Sequence, residues 1–364
     1  MSDEARERVE RKGDAARLLL AAARERFAVA AADLLLPEQA RLTEWQRLTA
    51  ASLLTRLVRS IEDSLRASLA DRFASSDGLH AALSSAHVPI ALPILERAGA
   101  LGDRELGTIL VRRVEEHRFW KAYAPAGGDA FLLDLVRDPD AQIAGEAMDL
   151  ITARSRRFDR FQEPVMARVE LPADLQHRLV WLVAAALRHY IVQHHHVAAV
   201  DGAIEEAASA LLAHYDEGEG FEARAMRLVR RLHAAGRLDG ALLNRLLGEG
   251  ALPLFIAGIA LLCSLDHAAA WEILSDPRGR GPALLMRAAG LSRQDAAAIL
   301  LVLNSQGRLF SGTEGAAAEA QLELFDTIDE EGARDVLRLW QADPLYRASV
   351  ARLSTRGRPS AQAA

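Results

Sequence analysis

The chain has 364 residues, half of them hydrophobic and only 5% aromatic, with a formal net charge of −6 and one cysteine. Abundant Ala, Leu, Arg and Glu favour helices over strands, and a weakly acidic balance excludes a generic polyanion binder. One cysteine excludes an internal disulfide, and the apolar runs are broken well short of the ~20 residues of a membrane helix; the expectation is an all-α, cytoplasmic protein that does not enter the membrane.

Residues 1–76 read as an N-terminal helical hairpin. One helix is expected from Asp3 to Leu35, with Pro37 breaking the pattern. A second starts at Thr43, where "TEWQ" offers a capping box between Thr43 and Gln46. Its apolar stripe is Leu54, Leu57, Ile61, Leu65 and Leu69, at helical spacing. Two long amphipathic helices cannot cover each other's stripes alone. They must dock on the rest of the chain or pair with a second copy as a dimeric four-helix bundle. The homodimer is the expected solution.

Residues 77–215 read as short helices with repeated punctuation. Asp103 is a good N-cap. In "FLLDLVRDPDAQIAGEAMDLI" the Asp138–Pro139 pair ends one helix and Asp140 caps the next. Ala144 and Gly145 are small enough for helices to meet closely, so the unit reads as HEAT-like. A strong helix begins near Ala173 and another near Asp201. Between them, "RHYIVQHHHVAAVDG" gathers His189, His194, His195 and His196.

Residues 216–353 read as a C-terminal series of short capped helices. Gly236, Gly248 and Gly290 stand where helices should end, and Asp239, Asp266 and Ser292 where they should begin. The triplet "IAG" recurs at Ile143 and Ile256, a hint of duplication. Residues 354–364 have the composition of a disordered tail.

Several of these segments resemble the DUF2336 family, an uncharacterised group known mainly from alphaproteobacteria. The resemblance is carried by "LVRSIEDSLRASLADRFA" from Leu57, "HVPIALPILERAGALGDREL" from His87, "RVELPADLQHRLVWLVAAALR" from Arg168, "RRLHAAGRLDGALLNRLLGEG" from Arg230 and "ILSDPRGRGPALLMRAAGLSR" from Ile273. It covers most of the chain from about Leu34 to Leu303. It implies a helical-repeat-like protein and supplies no catalytic residue. The histidine run lies outside the shared pattern.

Four kinds of chemistry can be weighed. A metal site needs three or four converging ligands. His189 and His196, seven residues apart, share a helix face; with a bend after Gln193, Glu205 of the next helix is the candidate third ligand. The competing and preferred reading is a solvated helix end, where histidine complements the dipole. Phosphotransfer lacks an acceptor in the hairpin, since the first histidine is His80. For nucleic acid, Arg154, Arg156, Arg157 and Arg160 cluster in one stretch, and Arg224, Arg227 and Arg231 share a helix face; the net charge favours a solvated, paired face, and nucleic acid is not the expected partner. Arg224, Arg227 and Arg231 are kept as a candidate interaction surface. No nucleophile elbow, P-loop or dinucleotide fingerprint is present. Glu115, Glu116 and His117 read as an exposed helix face, the five tryptophans as core anchors and Cys263 as a buried, inert thiol. The expectation is a non-enzymatic adaptor that binds a protein partner in bacterial regulation or signal transduction and needs no cofactor. The alternative is a metal-binding sensor or enzyme built on residues 189–196.

Overall fold

A computed structural model describes residues 41–353, apart from 75, 86–87, 124–129, 196, 198–199, 277–278, 306–315, 344–345, 348 and 351–352. The chain divides into a unit Met1–Thr43 and a unit Glu44–Ala364. The predicted helix Asp3–Leu35 lies outside the described residues, and all that follows concerns the second unit.

Helix α1 (Glu44–Arg72) buries Leu53, Leu57, Ile61, Leu65 and Leu69 on one face. That stripe is covered by α2 (Asp77–Ser84), α3 (Ala91–Arg97), the first half of α4 (Arg104–Tyr123), α7 (Ala173–His194) and α8 (Val200–Ala213). Of the two ways to cover the stripe, α1 thus docks on its own chain. The same helix buries two charges. Glu62 accepts from the backbone N–H of Ile90 (2.8 Å) and Ala91 (3.0 Å), at the start of α3. Arg66 donates to the carbonyls of Leu83, Val88 and Ala82 at 2.8–2.9 Å and pairs with Glu62 at 3.2 Å. Buried charges are tolerable when so fully partnered.

A second core is built from the far half of α4, from α5 (Ala130–Leu135) and α6 (Ala141–Ser155), and from α9 (Phe221–Ala234), α10 (Gly240–Gly248), α11 (Leu252–Leu262), α12 (His267–Leu274), α13 (Gly281–Ala288), α14 (Arg293–Ser305), α15 (Ala316–Thr327) and α16 (Glu330–Leu337). All-α is therefore the fold class, with no strand among the described residues.

The two cores are interleaved along the sequence. On α4, Leu106, Leu110 and Val114 sit in the first core and Phe119 in the second. The chain stays in the second core through α6. It returns to the first at Met166 and Leu171 and crosses again before Phe221. Consecutive HEAT-like units would each touch only their sequence neighbours; here the second lobe joins residues on both sides of position 216, and the excursion of residues 166–212 into the first lobe separates them.

Local signals hold better than this arrangement. Asp103, Asp140, Asp239 and Asp266 each accept a backbone N–H at a helix start, and Ser292 Oγ accepts from Asp295 N–H at 3.1 Å. Gly236 and Gly290 end helices with φ of +68° and +70°. At α10 the left-handed residue is Gly250 (φ +73°), not Gly248. Gly145 is exposed, with nothing within 4 Å of the point a Cβ would occupy, so it marks no close helix approach; its counterpart Gly258 does, a Cβ there lying 2.7 Å from Leu243 Cδ2. Gln46 donates its side-chain amide to Glu115. Trp271 is buried, whereas Trp45 is 40% exposed. Cys263 is buried, its Sγ 3.3 Å from the Leu285 carbonyl, and burial pushes its thiol up to about 12. No single helix among the described residues is long and apolar enough to cross a membrane.

Candidate functional site

Where the chain passes between the lobes, it leaves a cleft of about 1010 Å³. The walls come from all three passages: α4, the segment ending in the 3₁₀ turn Arg168–Glu170, and the start of α9; α12 supplies the fourth side. Ile109, Met166, Val169, Met226 and Trp271 make much of the wall apolar. Gly220 lies where two passages touch: a Cβ there would be 3.1 Å from the Val169 carbonyl.

The floor is a network of charges, buried apart from the half-exposed Glu222. Arg112, Arg113 and Glu116 stand on adjacent turns of α4. Arg157 Nη2 donates to Glu116 Oε2 at 2.7 Å, and its Nε lies 3.2 Å from Glu170 Oε1. Arg112 Nε is 3.6 Å from Glu116 Oε1, and its Nη2 donates to Glu222. His267 Nδ1 lies 2.9 Å from that same nitrogen and 3.1 Å from Glu222 Oε2, and Nε2 faces the Pro253 carbonyl at 3.2 Å. Arg113 donates to the carbonyls of Arg157 (2.5 Å) and Val165 (3.3 Å). Rings close the other sides of the cations: Trp271 under Arg112, Phe158 near Arg113 and Phe221 under Arg157, at 5.4, 5.5 and 4.4 Å.

Burial works against every one of these charges, and the partners decide the outcome. At Glu222, Arg112 and His267 overcome burial and hold the carboxyl well below the usual range. At Glu116, Arg157 and Arg112 also overcome burial and lower the carboxyl. At Glu170 burial outweighs Arg157 and Arg113, and the carboxyl sits above its ordinary value. Burial, reinforced by Arg157, pulls the Arg113 guanidinium down to about 9. Glu222 also stands in the first turn of α9, where the helix dipole favours an anion.

A family model described as "Uncharacterised protein conserved in bacteria (DUF2336)" matches residues 90–338, well over half of the chain. The chain belongs to the DUF2336 family. The matched region of this DUF2336 protein contains all three passages and the whole floor network. No curated protein and no solved structure shows significant similarity to the chain.

The residues singled out in the sequence are placed elsewhere. His189 is exposed on α7 and Glu205 exposed on α8, while His196 lies outside the described residues. The rings of His194 and His195 lie tilted against Tyr190, with centroids 4.8 and 5.8 Å away. The chain does leave the helix at His195, and Arg188 bridges to Asp201 at the start of α8. Among the described residues no group of three or more His, Cys, Asp or Glu could hold a metal ion. Arg224 pairs with Glu219 and Asp149, and Arg227 with Glu146; Arg231 is exposed. Of the other arginine cluster, Arg157 is drawn into the floor network.

Glu115, Glu116 and His117, expected on an exposed helix face, are buried. Two cores flank α4, so it has no solvent face at these positions. The available signal was "VRRVEEHRFW", where Val111, Val114, Phe119 and Trp120 spread apolar groups around the helix instead of along one stripe.

Proposed function

We propose that this DUF2336 protein is a non-enzymatic binding module, an adaptor in bacterial regulation or signalling, whose interlobe cleft receives a segment of a protein partner. The observation that carries this reading is the cleft. Its volume, about 1010 Å³, stands at the upper end of small-molecule pockets, which run to roughly 1,000 Å³. A polypeptide segment suits an open, mostly apolar wall with charges fixed beneath it. The floor charges are engaged with one another, which serves to hold shape more than to attack a substrate.

In-cell photo-crosslinking tests this. A photoreactive side chain at Ile109, in the cleft, is expected to give a discrete protein adduct. The same group at Leu301, exposed elsewhere and 66% accessible, is expected to give none. Equal adducts from both positions, or none from Ile109, reject the cleft as the partner site.

A further inference from the structure

The floor network balances three arginines against three glutamates, but it does not present them equally. The Glu222 side chain is 40% exposed, whereas Arg112 is 11%, Arg157 6% and Glu116 3%. The cations are turned inward, onto carbonyls, carboxylates and aromatic rings. What the cleft shows to an incoming molecule at its floor is therefore an anion.

The rim has the same sign. Asp103, Glu105, Glu217, Asp266 and Glu272 line it, against Arg104. Arg178 reaches Asp103 and Glu105 from outside, and Arg347 reaches Glu272, yet carboxylates remain in excess. Low-dielectric walls focus such a field into the cleft. Each Glu222 oxygen has one partner, Arg112 or His267, and keeps a lone pair for another donor.

We propose that the cleft selects a basic, amphipathic segment of the protein partner, seating an arginine or lysine on Glu222 and an apolar neighbour against Met226 and Ile109. This deepens the reading of the cleft as a partner site and rests on it. An acidic segment or a nucleic acid would meet repulsion at both floor and rim.

The test is a random-peptide display library panned on the intact full-length protein, with Ala223→Trp as a plugged-cleft control. The expected result is a set of peptides rich in Arg and Lys that bind the wild type and lose binding to Ala223→Trp. Glu222→Gln should weaken them by at least about threefold, as should added salt. Because Glu222 also ties the floor together, Glu217→Lys provides an independent arm: Glu217 is exposed on the rim, outside the network, and its reversal should weaken the same peptides by a similar factor. Circular dichroism confirms that each variant is folded. Cleft-dependent peptides with no basic excess, or basic peptides indifferent to Glu217→Lys, overturn this proposal and leave the cleft reading intact. If no recovered peptide distinguishes wild type from Ala223→Trp, the cleft reading itself falls with it.

Discussion

At the scale of single residues, buried His117 and Glu116 of α4 shape the pH response. His117 is fully buried, and neither ring nitrogen has a hydrogen-bond partner. Burial, with Arg113 and Lys121 nearby, pulls its pKa from 6.5 to about 4. A depressed histidine makes the unfolded chain bind a proton first, so stability is full above pH 6.5 and falls as pH drops from 6.5 toward 4, by about 2 kcal/mol after allowance for screening. His117→Phe keeps the ring contacts with Trp120 and Phe158 and removes both orphaned nitrogens. It should match or exceed wild-type stability at pH 7 and abolish the loss in that window, as read from urea midpoints against pH. The carboxylates Glu116 and Glu222, held low, lose their contribution only below about pH 4.5, so that lower limb should persist in His117→Phe. The two floor glutamates on Arg157 should separate as well. Glu116→Gln leaves Arg157 and Arg112 undercompensated and should cost about 3 kcal/mol. Burial disfavours the Glu170 anion more than Arg157 and Arg113 favour it, so Glu170→Gln should stay within about 1 kcal/mol of wild type at pH 7. Equal costs for the two would contradict the opposite directions of their shifts. None of this was readable from composition: Arg112 and His267 meet across 155 residues of sequence.

At the scale of elements, the sequence was informative because caps and terminators act over three or four residues. Asp140 accepts from Gln142 N–H at 2.8 Å, as its place after Pro139 requires. Glycines are harder to read, since the same residue can end a helix, admit a neighbour or do neither. Gly281 and Gly145 separate these roles. A Cβ at Gly281 would fall 1.8 Å from the Ile273 carbonyl oxygen, far inside van der Waals contact with backbone that cannot swing away. Gly145 lies within α6 with open space around it. Gly281→Ala should therefore destabilise by about 3 kcal/mol, whereas Gly145→Ala should stabilise by up to about 1 kcal/mol through helix propensity. Thermal melts of the two variants check this, and a stabilised Gly281→Ala would contradict the packing of α13 on α12. The helices were thus predictable individually, and their close approaches were not.

At the scale of the molecule, interleaving makes a claim that no boundary drawn along the sequence could anticipate. Cuts at 76/77 and 215/216 follow composition and turns, but each core needs residues on both sides of one of them. In the second lobe, α9 and α11 pack together and α9 lies on α6, across the excursion through α7 and α8. Neither lobe can lose its partner without the three passages losing their anchorage, and the floor network ties those passages to one another. Folding units of this length usually break into separate transitions, since two-state behaviour is typical below about 150 residues. Here the lobes should unfold together. Trp181 packs against the first core and Trp271 lies in the second, so variants retaining only one of these tryptophans report each lobe separately. Their fluorescence should give coincident urea midpoints and equal slopes. Glu116→Gln, at the network both lobes share, should move the two midpoints by the same amount, whereas an independent first lobe would leave the Trp181 transition behind. Separate midpoints in the parent chain would show that the passages are mere linkers, and the cleft between them would then lack the rigid floor on which partner selection by Glu222 depends.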